Sequence, residues 1–71
     1  MKNVKIFLRS GKTIAYQQDS GAELEDLKVT VEKSWSDPNT RGSIIVFQDG
    51  SEYHINLSAV EMIHISEVTL P

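Results

Sequence analysis

The last third of the chain carries the clearest pattern of apolar and turn-forming positions. Residues 43–48 form an apolar run rich in β-branched side chains, and Asp49-Gly50 is a two-residue sequence typical of hairpin turns. A second strand is predicted over 51–57, a compact turn over 57–59 and a third strand over 60–65. These elements predict a small antiparallel β module.

The start of the chain predicts another hairpin. Val4, Ile6 and Leu8 recur at every second position, which is the period of a half-buried strand. Ser10-Gly11 then offers a turn, and residues 12–17 resume as a strand.

The middle of the chain is expected to contain one short helix and a further strand. Ser20 and Glu23 have the spacing of a capping box, which predicts one or two helical turns over 22–27. A structured loop is the alternative, because so short a helix is marginal. Residues 28–35 alternate again, with Val29, Val31 and Trp35 on one face, and predict a strand.

Residues 36–42 form the most obvious loop of the sequence. Proline, asparagine and glycine occur together there, and these residues favour turns over β ladders. We expect this loop to be flexible. The terminal residues 68–71 are expected to form a short tail.

The order of these elements predicts a mainly β fold in one domain over residues 1–71. Five or six short antiparallel strands with one short helical turn fit an SH3-like or Sm-like barrel. A strongly bent sheet that dimerises through its edges is the alternative, since edge strands need protection from unwanted pairing.

The run Ile44-Ile45-Val46-Phe47 adds a functional expectation. Four successive apolar residues make both faces of a strand apolar. Either this strand is central and covered on its outside, or its outer face is an interface.

Residues 47–60 (FQDGSEYHINLSAV), together with 8–14 (LRSGKTI), resemble short reading frames that are common in Gram-positive bacteria and their phages. The resemblance covers most of the chain and rests on strand and turn pattern. It implies a phage or mobile-element origin and assigns no functional residue. The similarity to SH3-like barrels is architectural only.

Composition narrows the classes of function. The chain has 71 residues, no cysteine and a net charge of −3. A domain this small buries little surface alone, so a homo-oligomer is expected. The sequence contains no apolar run of membrane-spanning length, and its start has no apolar signal core, which favours a cytoplasmic protein that does not bind membranes.

No group of residues indicates catalysis, a metal site or a cofactor. His54 and His64 fit no standard metal-binding spacing. Asp49, Ser51 and His54 are the residue types of a hydrolytic triad, but Ser51 and His54 would point to opposite faces of a strand. We therefore expect a protein that is not an enzyme.

The sequence favours a small interaction module that is homo-oligomeric and acts as an adaptor or inhibitor of another protein. The candidate contact residues are Trp35, Arg41, Ile45, Phe47 and Tyr53. The alternative is binding of nucleic acid or a nucleotide ligand, because the first hairpin is basic. All of its lysine and arginine residues precede the first acid of the chain, Asp19. The candidate anion contacts in that hairpin are Lys5, Arg9 and Lys12.

Overall fold

A computed structural model describes residues 1–19, 21–37 and 39–68 of the chain. Five strands and one α-helix lie in these ranges. In chain order the elements are β1 (Lys2–Leu8), β2 (Thr13–Gln18), α1 (Ala22–Ser36), β3 (Ser43–Gln48), β4 (Ser51–Asn56), a 3₁₀ turn (Leu57–Ala59) and β5 (Val60–Glu67).

The strands form two antiparallel sheets. One has three strands in the order β2-β1-β5, and the other is the β3–β4 hairpin. The mainly β prediction is confirmed. The described strands do not close into a barrel, because the two sheets remain separate ladders with open edges.

Both predicted hairpins are present. In the first, Val4 lies opposite Tyr16 and Ile6 opposite Ile14, so the alternating apolar residues share one face. In the second, Asp49 and Gly50 both have positive φ, at 52° and 78°. This is the backbone of a type I′ turn, which explains the Asp-Gly sequence.

The strand predicted over 28–35 is wrong, because these residues belong to α1. Leu24 and Val31 are buried and Leu27 packs against the core, which is the spacing of one helical face. Val29 is 61 % exposed. Two positions turn a helix by about 200°, so Val29 and Val31 lie on opposite sides although their alternation suggested a shared strand face.

The helix is also longer than the one or two turns predicted over 22–27, since it has 15 residues. The predicted cap Ser20 lies outside the described residues. Gly21 occupies the N-cap without a side-chain hydrogen bond, and Glu23 and Glu25 lie in the first turn, where acids complement the helix dipole.

The helix ends one residue inside the predicted loop. Ser36 is its last residue, and the backbone N–H of Asp37 donates to the Lys33 carbonyl at 3.0 Å. Pro38 of the predicted loop, and residues 69–71 of the predicted tail, lie outside the described residues.

One hydrophobic cluster joins both sheets and the helix. Its buried residues come from β1, α1, the second hairpin, the 3₁₀ turn and β5, and they are Val4, Ile6, Leu24, Val31, Val46, Ile55, Leu57 and Val60. Trp35 fixes the end of α1 to this cluster, because its indole Nε1–H donates to the Val60 carbonyl at 3.1 Å. Among the described residues, no helix is long and apolar enough to cross a membrane.

Candidate interaction surface

The two faces of β3 have opposite environments. Val46 is buried and Ile44 packs against the core, whereas Ile45 is 49 % exposed and Phe47 is 72 % exposed. The apolar run therefore covers the core with one face and presents the other to solvent. The sequence offered two alternatives, a strand covered on its outside or an outer face that is an interface. The outer face is exposed among the described residues, and its use as an interface stays a prediction.

Polar side chains of β4 flank the exposed pair. His54 lies opposite Ile45 and Glu52 opposite Phe47. Glu52 Oε1 and His54 Nε2 are 3.4 Å apart. We call this side of the hairpin the outer hairpin face, and its residues are Ser43, Ile45, Phe47, Glu52, His54 and Asn56. An apolar centre with a polar rim is the usual composition of a protein interface.

Tyr53 does not belong to the outer hairpin face. It lies opposite the buried Val46, so its side chain is on the core side of the hairpin, where it is 40 % exposed. There it lines an open groove of about 550 Å³ together with Leu8 and Ile14. The structure thus separates Tyr53 from Phe47, although both are predicted contact residues.

Trp35 and Arg41 are also apart from the outer hairpin face. Trp35 is 47 % exposed at the end of α1 and lines a groove with Thr40 and Glu61. Arg41 lies in the segment before β3 and borders a different groove, with Gly42 and Asn56. The sequence also predicted Arg41 as the polar companion of Trp35 in a contact, but the two residues line different grooves.

The three basic candidates of the first hairpin line three different grooves. Lys5 lies beside His64 on the outer side of the three-stranded sheet, and Lys12 is near Tyr53. Arg9 lies near Trp35, where its Nε–H donates to the Ser58 carbonyl at 3.1 Å. They do not form one basic patch, and nucleic-acid binding through them stays a prediction.

Two ionisable side chains have displaced pKa values. A hydrogen bond and the positive charge of Lys2 lower the pKa of the exposed Glu67 carboxyl. Partial burial raises the pKa of the Tyr16 hydroxyl, which donates to Gln18 Oε1 at 3.2 Å. Both pairs lie at strand positions that support the three-stranded sheet, away from the outer hairpin face.

The described ranges contain no group of three His, Cys, Asp or Glu side chains that could hold a metal ion. Ser51 lies opposite Gln48, and His54 lies opposite Ile45. Ser51 and His54 are therefore on opposite faces of the hairpin, which confirms the geometric argument against a triad built on them.

Sequence reasoning did not predict the exposure of three apolar side chains, Met1, Val29 and Met62. Met62 is 48 % exposed and lies opposite Phe7 on the outer side of the three-stranded sheet. In β5, Ile63 and Ile65 point to the core. Met62 is the residue before Ile63, so its side chain is expected on the opposite, outer face of the strand. For Val29, the sequence feature that indicates exposure is the helical spacing of Leu24, Leu27 and Val31, which places Val29 away from their shared face.

The sequence matches no family model, and no curated protein or solved structure matches it either.

Proposed function

We propose that this protein is a small non-enzymatic interaction module. Its homo-oligomers act as an adaptor or inhibitor, and the outer hairpin face contacts another protein. The observation that carries the proposal is the exposure of Phe47, which is 72 % accessible on a strand whose other face belongs to the core. A large aromatic side chain held in water by a rigid hairpin is the kind of group that anchors protein interfaces.

The scaffold supports this use of Phe47. The hairpin is held to the rest of the domain by buried Val46 and Ile55, and a type I′ turn joins its strands. A partner would thus meet Ile45 and Phe47 already in place, with little ordering cost. The flanking Glu52 and His54 supply polar groups for the rim of such a contact.

Aspartate substitutions on the outer hairpin face test the proposal. We expect Ile45→Asp and Phe47→Asp to weaken binding of a partner by at least about tenfold, because a buried anchor commonly contributes 2 kcal/mol or more. The measurement is co-purification from the native host, followed by titration of the identified partner with each variant by calorimetry.

Ser43→Asp is the matched control. Ser43 is exposed on the same face of the same strand, so the substitution adds the same charge without removing an apolar contact. Circular dichroism and urea unfolding verify that all three variants fold. Equal partner binding by wild type and both apolar variants contradicts the proposal, as does equal loss in the control.

A further inference from the structure

Within the part of the chain that the structure describes, the strand β5 has one backbone edge that pairs with no other strand. It is an outer strand of the three-stranded sheet. The Leu8 N–H donates to the Lys12 carbonyl, and the Val68 N–H donates to the Met1 carbonyl. Leu8 therefore bonds to the β2 side and Met1 to the β5 side. Backbone bonds in an antiparallel ladder alternate between the two sides of a strand, so even-numbered residues of β1 bond to β2 and odd-numbered residues bond to β5.

The alternation of hydrogen bonds along β1 determines which backbone groups of β5 face away from β1. His64 lies opposite Lys5, and Ser66 lies opposite Asn3, so both bond to β1. The backbone N–H and C=O groups of Ile63, Ile65 and Glu67 consequently point away from β1. Within the described ranges, none of the backbone hydrogen bonds made by turns, loops and helix caps involves these three residues.

The opposite edge of the sheet is partly occupied. The side-chain amide of Gln48 donates to the Ala15 carbonyl of β2, which places the turn of the second hairpin beside that edge. Among the described residues, the side-chain bond to the backbone of β5 is that of Trp35 to the Val60 carbonyl at the start of the strand. Farther along, residues 62–66 contain no lysine, arginine, proline or acid. Natural proteins usually protect free edges with such residues or by pairing.

We propose that β5 pairs in antiparallel fashion with β5 of a second copy, which joins the two three-stranded sheets into one continuous six-stranded sheet. The inference rests on the proposed homo-oligomeric function and specifies where the copies meet. The two-fold axis passes through Ile65, so Ile65 lies opposite its own counterpart and Ile63 lies opposite Glu67 of the second copy.

Charge disfavours the neighbouring register that has its two-fold axis at His64. A two-fold axis at His64 would set Glu61 opposite Glu67 of the second copy at both ends of the pairing, and directly opposed like charges destabilise a sheet. The axis at Ile65 avoids that repulsion. It also places His64 opposite Ser66 of the second copy, a pair without opposed charges of the same sign.

The helix side of the edge fits a second copy as well. Ile63 and Ile65 are only half-buried there, and they form the apolar floor of a notch of about 160 Å³ that is bordered by Lys28, Glu32 and Trp35. A two-fold axis sets the two α1 helices antiparallel across the joint.

The first experiment is sedimentation equilibrium on the full chain over a range of concentrations. Wild type is expected to dimerise. Glu67→Pro removes an outward N–H without removing a bond to β1, and it is expected to raise the dimer dissociation constant at least about tenfold. Glu67→Ala is the matched control, because it loses the contact with Lys2 but keeps the N–H, and we expect it to dimerise like wild type.

The second experiment tests the register by crosslinking. His64→Cys and Ser66→Cys are prepared separately in a chain that has no other cysteine. Their Cα atoms would be about 4.5 Å apart across the joint, within the range of a disulfide. An equimolar mixture under mild oxidation is expected to give a disulfide-linked heterodimer in larger amount than either variant gives alone.

The results separate this inference from the proposed function. A dimer that Glu67→Pro weakens and Phe47→Asp leaves intact supports pairing at β5. A dimer that only Phe47→Asp dissociates overturns pairing at β5 and leaves the outer hairpin face as the self-contact. A wild-type monomer at all concentrations, or no excess of crosslinked heterodimer, also overturns the inference, while partner binding through Phe47 remains measurable.

Discussion

Trp35 shows how a single residue can have a different role from the one its type suggests. Its size and its position before the 36–42 loop make it a candidate contact residue in the sequence. In the structure its indole N–H binds the Val60 carbonyl, so it connects the end of α1 to the start of β5, and about half of its surface remains exposed. Its half-buried position therefore has a structural explanation.

Removing that hydrogen bond should reduce stability. Trp35→Phe keeps an aromatic ring but has no N–H donor, and we expect the free energy of unfolding to fall by about 1 kcal/mol. Urea unfolding followed by far-UV circular dichroism measures the change. Tyr53→Phe is the control, because the side-chain hydrogen bonds among the described residues include those of Tyr16 and Trp35 but none of the Tyr53 hydroxyl. Equal stability of wild type and Trp35→Phe would argue against a stabilising role for the bond.

At the scale of elements, α1 is where the sequence pattern and the structure disagree. Val29, Thr30 and Val31 are β-branched, and Val29, Val31 and Trp35 fall at alternate positions, which is a strand pattern. The same residues also fit a helical stripe through Leu24, Leu27 and Val31. Packing of that stripe against the core decides in favour of the helix, since tertiary contacts override weak local propensity.

Paired substitutions on α1 distinguish the two patterns. Val29→Glu should change stability by less than about 0.5 kcal/mol, because Val29 is 61 % exposed and glutamate is a good helix former. Val31→Glu should prevent folding at room temperature, because it places an unpaired charge in the core. Thermal unfolding measures both. Similar effects at the two positions would instead indicate the shared face of a strand.

On the scale of the whole molecule, a contact between distant ends of the sequence supports the sheet. Lys2 at the start of β1 binds Glu67 at the end of β5, and β1 pairs with both β2 and β5. Exposed ion pairs contribute little individually, so the hydrophobic cluster that both sheets share carries most of the stability. The ion pair nevertheless gives the sheet a pH dependence.

The sign of that dependence follows from the lowered pKa of Glu67. A carboxyl whose pKa is lower in the folded state stabilises the fold above its unfolded-state pKa, and this contribution is lost as the pH falls through the folded-state pKa. We expect Lys2→Gln to lower the melting temperature slightly at neutral pH and to match wild type in acid. Lys5→Gln is the control, and a difference from wild type that does not depend on pH would contradict the assignment.

The sequence by itself determined the elements whose local rules are strict. Period-two alternation placed β1, and Asp49-Gly50 specified a turn with two positive φ angles. The unbroken apolar run over 44–47 also predicted that the outer face of β3 would need a cover or a partner.

Only the tertiary structure decided between competing local patterns. Burial of Leu24 and Val31 against the strands selected a 15-residue helix where alternation favoured a strand. The tertiary structure also put Phe47 outside the core and Val46 within it, and it left the two sheets as open ladders. These outcomes depend on contacts between residues far apart in the chain, and no local pattern contains that information.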